Sequence, residues 1–268
     1  MKKGIIAICC LGLAFTSCKN DEKKDQEMAN ESEVAAMDQE NDQEVAPIEI
    51  DPISHATSVI KWEDAVIYTD PVGGAEVFEG KDKPSFVMIT DIHGDHMDTK
   101  TLAALNLGDT KIIVPQAVKD QLPKEMAANF IVMSNGDSQD FMGFNIKAIP
   151  MYNLPEAADA KHVKGRGNGY VLEKDGQRLY ISGDTEDIPE MRALENIDVA
   201  LVCMNLPYTM TVEDAADAVV EFAPKKVYPY HYRGQDGRAD VAKFKQLVNE
   251  GNKEVEVVQL NWYSEMKE

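Results

Sequence analysis

Residues 90–96 read TDIHGDH, and they place four ligand-capable side chains within six positions. They follow a largely apolar run at 86–90 with the length of a buried strand, and Gly94 lets the backbone turn tightly enough to aim the side chains at one point. Imidazole and carboxylate donors together suit Zn²⁺, and also Mn²⁺ or Fe²⁺. The alternative is a polar loop that caps the next helix, but Asp98 already offers that cap. The stretch therefore predicts a metal centre.

Two more predicted strands end at ligand-capable residues. The segment 169–182 reads as a hairpin around an Asp-Gly turn, and its second strand delivers Asp184. A strand predicted at 226–230 ends at His231. The ends of strands in a packed sheet are rigid, which makes them good places to hold metal ligands.

Strands and helices alternate through the rest of the chain. Further strands are predicted at 58–61, 65–68, 111–114 and 198–204. Helices are predicted at 99–105 and 211–222, the second of them capped by Thr211.

Together these motifs resemble the signatures of the metallo-β-lactamase superfamily. The loop at 90–96 is similar to its His-x-His-x-Asp-His motif, with Asp91 where the first His usually stands. Asp184, inside Gly-Asp-Thr, matches the bridging aspartate, and His231 matches the last His. The resemblance covers about residues 51–262 and is more specific for the fold than for the substrate.

Within the superfamily, the stretch 184–231 is similar to a branch of bacterial hydrolases related to ascorbate-6-phosphate lactonase. The supporting segments are GDTEDIPEM at 183–191, YTMT at 208–211 and PYH at 229–231. The resemblance implies an α+β protein, a four-layer αββα sandwich with metals at one edge. It also implies one intact metal site made by Asp95, His96 and His231, with Asp184 bridging.

The other implied site departs from the family pattern. His93 is present, but Asp91 replaces a His, and the third His should fall near Tyr152 and Asn153, where none stands. His162, nine residues further on, could reach in instead. We therefore expect this site to be oxygen-rich and weaker than the intact one.

The resemblance implies a metal-dependent hydrolase with one or two zinc ions. A metal-bound hydroxide would attack an ester, lactone, amide or phosphoester of a small substrate. Asp184 and Asp95 would hold the hydroxide, Asp95 would accept its proton, and Asn153 and Tyr152 would stabilise the oxyanion. Two alternatives stay open: a mononuclear iron oxygenase of the same fold, and a non-catalytic, surface-anchored binding module.

Two features are candidate substrate contacts. Residues 161–167 read KHVKGRG, a basic loop in which Lys164 and Arg166 could hold an anionic group; alternatively, the loop is solvated and balances the acidic surface. His55 resembles a His found at the edge of the site in this branch, although a structural, hydrogen-bonding role is equally open.

Residues 1–18 read as a lipoprotein signal peptide. Two lysines precede an apolar run at 4–15, which is too short to span a bilayer, and the run ends in Thr-Ser-Cys18, similar to a bacterial lipobox. The alternative is an ordinary signal peptide with an incidental cysteine. We expect an extracytoplasmic protein that is anchored to a membrane through acylated Cys18.

Residues 19–50 carry eleven Asp or Glu against three Lys and no aromatic residue, which predicts a disordered acidic tether. Residues 51–268 then form the catalytic domain. Its one cysteine, Cys203, excludes an internal disulfide and reads as a core residue. The net charge of −20 argues against nucleic acid as a partner, and the oligomeric state stays open.

The lipobox predicts acylation of Cys18. Cells given labelled palmitate should incorporate label into the wild-type protein and not into Cys18→Ala, because only the thiol accepts the diacylglyceryl group. Equal labelling of the two proteins would contradict the lipoprotein prediction.

Overall fold

The structure, a computed structural model, describes residues 46–264, which form two sheets and five α-helices. The strands are β1 Glu49–Ser54, β2 Thr57–Trp62, β3 Ala65–Thr69, β4 Phe86–Met88, β5 Lys111–Val114, β6 Phe130–Val132, β7 Ser138–Phe141, β8 Phe144–Met151, β9 Gly167–Lys174, β10 Gln177–Ile181, β11 Val199–Cys203, β12 Lys226–Tyr230, β13 Arg233–Gly234, β14 Gly237–Arg238 and β15 Glu256–Val257. The helices are α1 Thr99–Ala104, α2 Gln116–Lys119, α3 Pro189–Arg192, α4 Val212–Phe222 and α5 Val241–Gly251. Short 3₁₀ helices cover Ala75–Phe78 and Lys124–Asn129, and β13 pairs with β14 in a small ribbon.

The first sheet has the strand order β1-β2-β3-β4-β5-β6, and the second has β15-β12-β11-β10-β9-β8-β7. Strands β3 to β6 run parallel, as do β10, β11, β12 and β15. The predicted hairpin is β9–β10, whose turn residues Asp175 and Gly176 both have positive φ (49° and 78°), as a tight two-residue turn requires.

Alternating side chains of the first sheet divide between two cores. In β4, Phe86 and Met88 face the second sheet, while Val87 faces the opposite way. Between the sheets, Phe144 of β8 meets the ring of Trp62 at 5.2 Å and that of Phe86 at 5.6 Å. Aromatic contacts of this kind join the two sheets into one buried core.

Helices cover the outer face of each sheet. Leu102 of α1 and Val118 of α2 pack with Val87 on the outside of the first sheet. On the second sheet, Phe222 of α4 lies 6.0 Å from the ring of Tyr180 in β10. The layers therefore run helix, sheet, sheet, helix, and the predicted αββα sandwich is confirmed.

Helix α4 begins and ends where the sequence predicts. The Thr211 hydroxyl accepts the N–H of Asp214 at 3.0 Å, which satisfies one of the unpaired donors of the first turn. Ala223, in the left-handed conformation, ends the helix just before Pro224.

Several elements are absent from the sequence prediction. Strands β7 and β8 and helix α5 had no prediction, and β1 begins at Glu49, inside the stretch assigned to the tether. The strand starts there because Ile48 is buried and Ile50 packs against the core between the sheets. The predicted signal peptide and residues 19–45 of the tether lie outside the described residues. No helix within residues 46–264 is both long and apolar enough to cross a bilayer.

Phe144 should be a major source of stability because it joins the two sheets. We expect Phe144→Ala to lower the free energy of unfolding by about 3–5 kcal/mol, the usual cost of an aromatic-sized cavity. Urea denaturation measures this, with Met142→Ala as the control because Met142 is 54% exposed. Similar losses in the two variants would contradict the role given to Phe144.

Candidate metal centre

Strand ends from both sheets meet at one edge of the sandwich. The loop after β4 supplies residues 91–96, and β10 and β12 of the second sheet release Asp184 and His231. Gly183 lets the chain after β10 pack tightly, since a Cβ there would lie 2.6 Å from the sulfur of Met151 in β8 and 3.3 Å from the Thr90 side chain beyond β4. His231 has φ 44°, a strained conformation for a non-glycine residue. The predicted convergence of these strand ends is therefore present in the fold.

Asp184 lies between three imidazoles. Its Oδ2 is 3.4 Å from Nε2 of His96 and 3.2 Å from Nε2 of His162, and its Oδ1 is 3.4 Å from Nε2 of His231. The carboxylate is almost fully buried, with 4% of its side chain exposed. One buried carboxylate thus contacts all three imidazoles.

Asp95 lies on the open side of the same cluster. Its Oδ2 is 3.3 Å from Nε2 of His231, and 41% of its side chain is exposed. Asp95 and Asp184 both line a cavity of about 300 Å³ together with His93, Gly94, Lys161, His162, Asn205 and Tyr208. A small molecule in this cavity would therefore meet both carboxylates.

A second group of possible ligands is formed by Asp91, His93 and His162. Nδ1 of His93 is 2.6 Å from Oδ2 of Asp91, and Nε2 of His162 is 3.9 Å from the same oxygen. One donor atom from each residue falls within 4.8 Å of the others. His162 therefore lies close enough to Asp91 and His93 to be the third ligand of this group, the role that the sequence left open.

The His162 ring is held by its neighbours. The backbone N–H of His162 donates to Oδ1 of Asn153 at 2.7 Å, and the N–H of Asn153 donates to the carbonyl of His162 at 2.9 Å. Nδ1 of His162 lies 3.1 Å from the carbonyl of Tyr208, so Nε2 faces the cluster. Asn153 accordingly positions the backbone at His162.

Unpartnered polar atoms test whether the cluster fits a cation. Within residues 46–264, Nε2 of His96, Nε2 of His162 and Oδ1 of Asp184 are buried without a hydrogen-bond partner. Leaving such atoms unsatisfied is costly, and here their lone pairs converge on one space. Imidazole nitrogen and carboxylate oxygen are donors that bind Zn²⁺ and other first-row divalent ions. The residues therefore fit a metal ion.

The electrostatics of the cluster also favour positive charge. Burial raises the pKa of Asp184, but His231 and His96 lower it further, and the net pKa is well below its usual value. Burial lowers the pKa of His96, but Asp184 and Asp70 raise it well above the ordinary value. Without a metal ion, His96 thus holds its proton strongly. A bound ion would take over the neutralisation of the nearby carboxylates.

A family model, the β-lactamase superfamily domain, matches residues 49–231 of this chain. The chain belongs to this superfamily. The predicted family is confirmed, whereas the similarity to the ascorbate-6-phosphate lactonase branch stays a prediction.

Similar superfamily proteins are named metal-dependent hydrolases. One from Thermococcus onnurineus is 31% identical over 169 residues, which cover 61% of this chain and 74% of the relative. The crystal structure of another, from Parabacteroides distasonis, is 36% identical with a TM-score of 0.70, covering 79% of this chain and 92% of that chain. These relatives support the predicted enzyme class, a metal-dependent hydrolase.

The superfamily fold also serves other chemistry. A diiron β-hydroxylase from Streptomyces venezuelae has a TM-score of 0.58 and 16% identity, covering 80% of this chain and 54% of that chain. At this identity the likeness concerns the fold alone.

Asp70 is a residue of this site that the sequence analysis missed. It follows β3, is fully buried, and its Oδ2 lies 2.9 Å from Nδ1 of His96. Its other oxygen accepts the N–H of Thr90 at 2.7 Å. A carboxylate behind a ligating imidazole fixes the ring and its tautomer, and here it leaves Nε2 facing the cluster. No motif marks Asp70, which lies 26 residues before His96.

Three predicted substrate contacts have other partners. The Tyr152 hydroxyl donates to Glu190 at 2.9 Å, and Lys164 donates to that hydroxyl at 3.2 Å. Arg166 binds Asp91 through two hydrogen bonds of 3.2 and 3.1 Å. Nearby carboxylates bind Lys164 and Arg166, and Glu190 accepts from the Tyr152 hydroxyl. None of these three residues lines the cavity.

Asn153 differs from its predicted role, whereas His55 lies at the edge of the site, as the sequence allowed. The Asn153 side-chain amide donates to Glu186 at 3.0 Å and to the Tyr208 carbonyl at 2.8 Å, which leaves no donor for an oxyanion. His55 lies edge-on to His231, with ring centroids 5.5 Å apart, and burial lowers its pKa to about 4. His55 is thus a neutral ring packed against His231, and one donor atom each of His55, His231 and Asp95 lie within 4.8 Å of one another.

Asp70→Asn should weaken metal binding while the fold is retained. The amide cannot hold the His96 ring as the carboxylate does, and loss of such a partner typically costs about 10- to 100-fold in metal affinity. Zinc titration of metal-stripped protein measures the change. The control is Asp82→Asn, because Asp82 is exposed and pairs with Lys61 away from the site. Equal affinities in the two variants would show that Asp70 does not position His96.

Proposed function

We propose that the protein hydrolyses an ester, lactone, amide or phosphoester bond of a small substrate at the site formed by Asp95, His96, Asp184 and His231. The observation that carries this proposal is the burial of Asp184 among three imidazoles beside the cavity, where Oδ1 of Asp184 and Nε2 of His96 and His162 have no hydrogen-bond partner. The hydrolase names of the relatives agree with it.

The ligands would hold one or two divalent ions, for which Zn²⁺ is our first choice. A bound ion would supply Lewis acidity and lower the pKa of a water in the cavity toward neutrality. The group of His96, Asp184 and His231 would hold one ion, and the group of Asp91, His93 and His162 would hold the second.

The two carboxylates would have different roles in the reaction. Asp184 is buried and held between imidazoles, which suits a fixed orienting group. Asp95 reaches the cavity with 41% of its side chain exposed, which suits a proton acceptor that exchanges with solvent. Its pKa is low because His231 and His96 outweigh the effect of burial, so it is ionised at neutral pH.

Asn205 takes over the donor role that we predicted for Asn153 and Tyr152. Its Oδ1 accepts from the Thr209 hydroxyl at 2.6 Å, which turns Nδ2 toward Asp184 and His231 at 3.4 Å each. Asn205 also lines the cavity. Asp184 and His231 would turn to a bound ion, so these two 3.4 Å contacts would be lost and Nδ2 could stabilise negative charge on a substrate oxygen. The partners of the Asn153 amide lie outside the ligand groups and would keep it engaged.

An iron oxygenase remains the second candidate, because two imidazoles and one carboxylate, as in the group of Asp91, His93 and His162, are a ligand set that non-haem iron oxygenases also use. Analysis of protein purified without added metal discriminates the two: one iron per chain and oxygen consumption would favour the oxygenase, whereas zinc would favour the hydrolase.

The location of the enzyme is also a proposal. Acylation at Cys18 would place the domain outside the cytoplasm, tied to a membrane by the acidic segment 19–45. Small molecules that diffuse to that surface would then be its substrates.

Asp184→Asn and Asp95→Asn should lower kcat by about 100-fold or more, because each removes a group that holds or accepts the proton of the attacking water. Steady-state hydrolysis of 4-nitrophenyl acetate measures this. Asp175→Asn, in the turn between β9 and β10, is the control and should keep wild-type kcat. Wild-type turnover in Asp184→Asn would show that Asp184 takes no part in hydrolysis. Absence of turnover in the wild-type protein, with ligand binding retained in Asp184→Asn, would favour a non-catalytic binding module.

Lys161 should contact an anionic group of the substrate. It lines the cavity, its Nζ lies 5.4 Å from the centre of the Tyr208 ring, and no ion pair joins it to any carboxylate of the described residues. Lys161→Ala should raise KM for mono(4-nitrophenyl) succinate about three- to fivefold, without changing kcat or the KM for 4-nitrophenyl acetate.

Lys164→Ala is the matched control for Lys161→Ala, because Lys164 already pairs with Glu156 and Glu190. It should leave the KM for both esters unchanged. A KM that rises in Lys164→Ala and not in Lys161→Ala would return the anion contact to the residue predicted from sequence.

A further inference from the structure

Arg166 and Asp91 form an ion pair beside the second ligand group. Nε of Arg166 lies 3.2 Å from Oδ1 of Asp91, and a terminal guanidinium nitrogen lies 3.1 Å from Oδ2. Both carboxylate oxygens thus accept from one planar guanidinium, an arrangement that holds a carboxylate firmly. The Asp91 side chain is fully buried and that of Arg166 is 20% exposed, so the pair is largely shielded from water.

The backbone keeps the two residues opposite each other. The N–H of Asn168 donates to the carbonyl of Thr90 at 3.0 Å, next to Asp91. At Gly167 a Cβ would lie only 2.8 Å from the same carbonyl, so the start of β9 is pressed against the loop after β4. Arg166 therefore meets Asp91 because the two sheets pack there.

The same carboxylate belongs to the group of Asp91, His93 and His162. A metal ion in that group and the guanidinium would compete for the same oxygens, and the two cations would repel each other across a buried space. The group of His96, Asp184 and His231, here called the Asp184 group, differs in its charges. Its carboxylate, and Asp95 beside it, contact imidazoles, which carry no charge when they bind metal.

We propose that Arg166 competes with divalent metal for Asp91, so that the group of Asp91, His93 and His162 binds its ion more weakly and fills after the Asp184 group. The proposal rests on the metal site of the proposed function, but it concerns metal loading and requires no substrate. The alternative is an Arg166 that only orients Asp91, and its removal would then weaken metal binding.

Arg166→Met tests the two roles in the full chain after removal of metal. The variant leaves Asp91 buried without its cation, so a metal ion becomes the available source of compensating charge. Calorimetric titration with Zn²⁺ should show the second binding step at least about tenfold tighter than in wild type, with the first step unchanged. If wild type shows a single step, the variant should show two.

Metal-dependent stability is the second measurement. Zn²⁺ should raise the Tm of Arg166→Met by more than it raises that of wild type, because the ion replaces a lost partner. Arg166→Gln keeps a hydrogen-bond donor without the charge and should show the same tightening, which covers the case in which Arg166→Met fails to fold without metal.

Two controls separate this effect from general changes in charge. Lys164→Met removes a cation of the same loop that pairs with Glu156 and Glu190, and both binding steps should match wild type. The double variant Arg166→Met/Asp91→Asn removes both charges, and its second step should be weaker than in wild type because the amide is a poor ligand.

An unchanged or weaker second step in folded Arg166→Met and Arg166→Gln would overturn the proposal, while normal first-site binding in the same proteins would leave the proposed function intact. A wild-type protein and variants that bind no divalent metal would overturn both.

Discussion

The site depends on the burial of one carboxylate. Asp184 is desolvated at the edge of the second sheet, and a buried anion is tolerated only when positive charge or donors surround it. Three imidazoles approach it from the loop after β4, from the loop before β9 and from the end of β12. The two sheets must therefore pack in one register for this charge to be compensated, which ties the fold and the chemistry together.

Residues behind the ligands extend that dependence into the first sheet. Asp70 at the end of β3 holds His96, and Thr90 at the end of β4 donates to Asp70. Asn205, just beyond β11, reaches both Asp184 and His231. Neighbouring strands thus each contribute one group, so that the site is as rigid as the sheet edges on which it is built.

Sequence reasoning identified the fold because its signals are local. The strand before residue 90, the Asp-Gly turn of β9–β10 and the cap at Thr211 each follow from a few adjacent residues. The structure brings Asp95, His96, Asp184 and His231 together as the motif order predicted, although what they bind in solution is still a prediction.

Contacts between residues far apart in the chain were beyond the reach of the sequence. Asp70 and Asn205 carry no motif, and their partners are set by strand order. The sequence of the basic loop indicates no partner for its charges, but in the fold Arg166 forms an ion pair with Asp91 and Lys164 forms one with Glu190. Composition shows which charges are present, whereas only the fold decides which of them neutralise one another.

The hydrogen bonds between Asn153 and His162 also bear on how such an enzyme can diversify. They close the base of a loop whose residues 154–159 are all exposed. Insertions or deletions within that span would change the segment that leads into Lys161, which lines the cavity, without moving the imidazole at its base, since surface loops tolerate changes in length at little cost. The loop can therefore change in length, and with it the surroundings of Lys161, while the buried ligands stay in place.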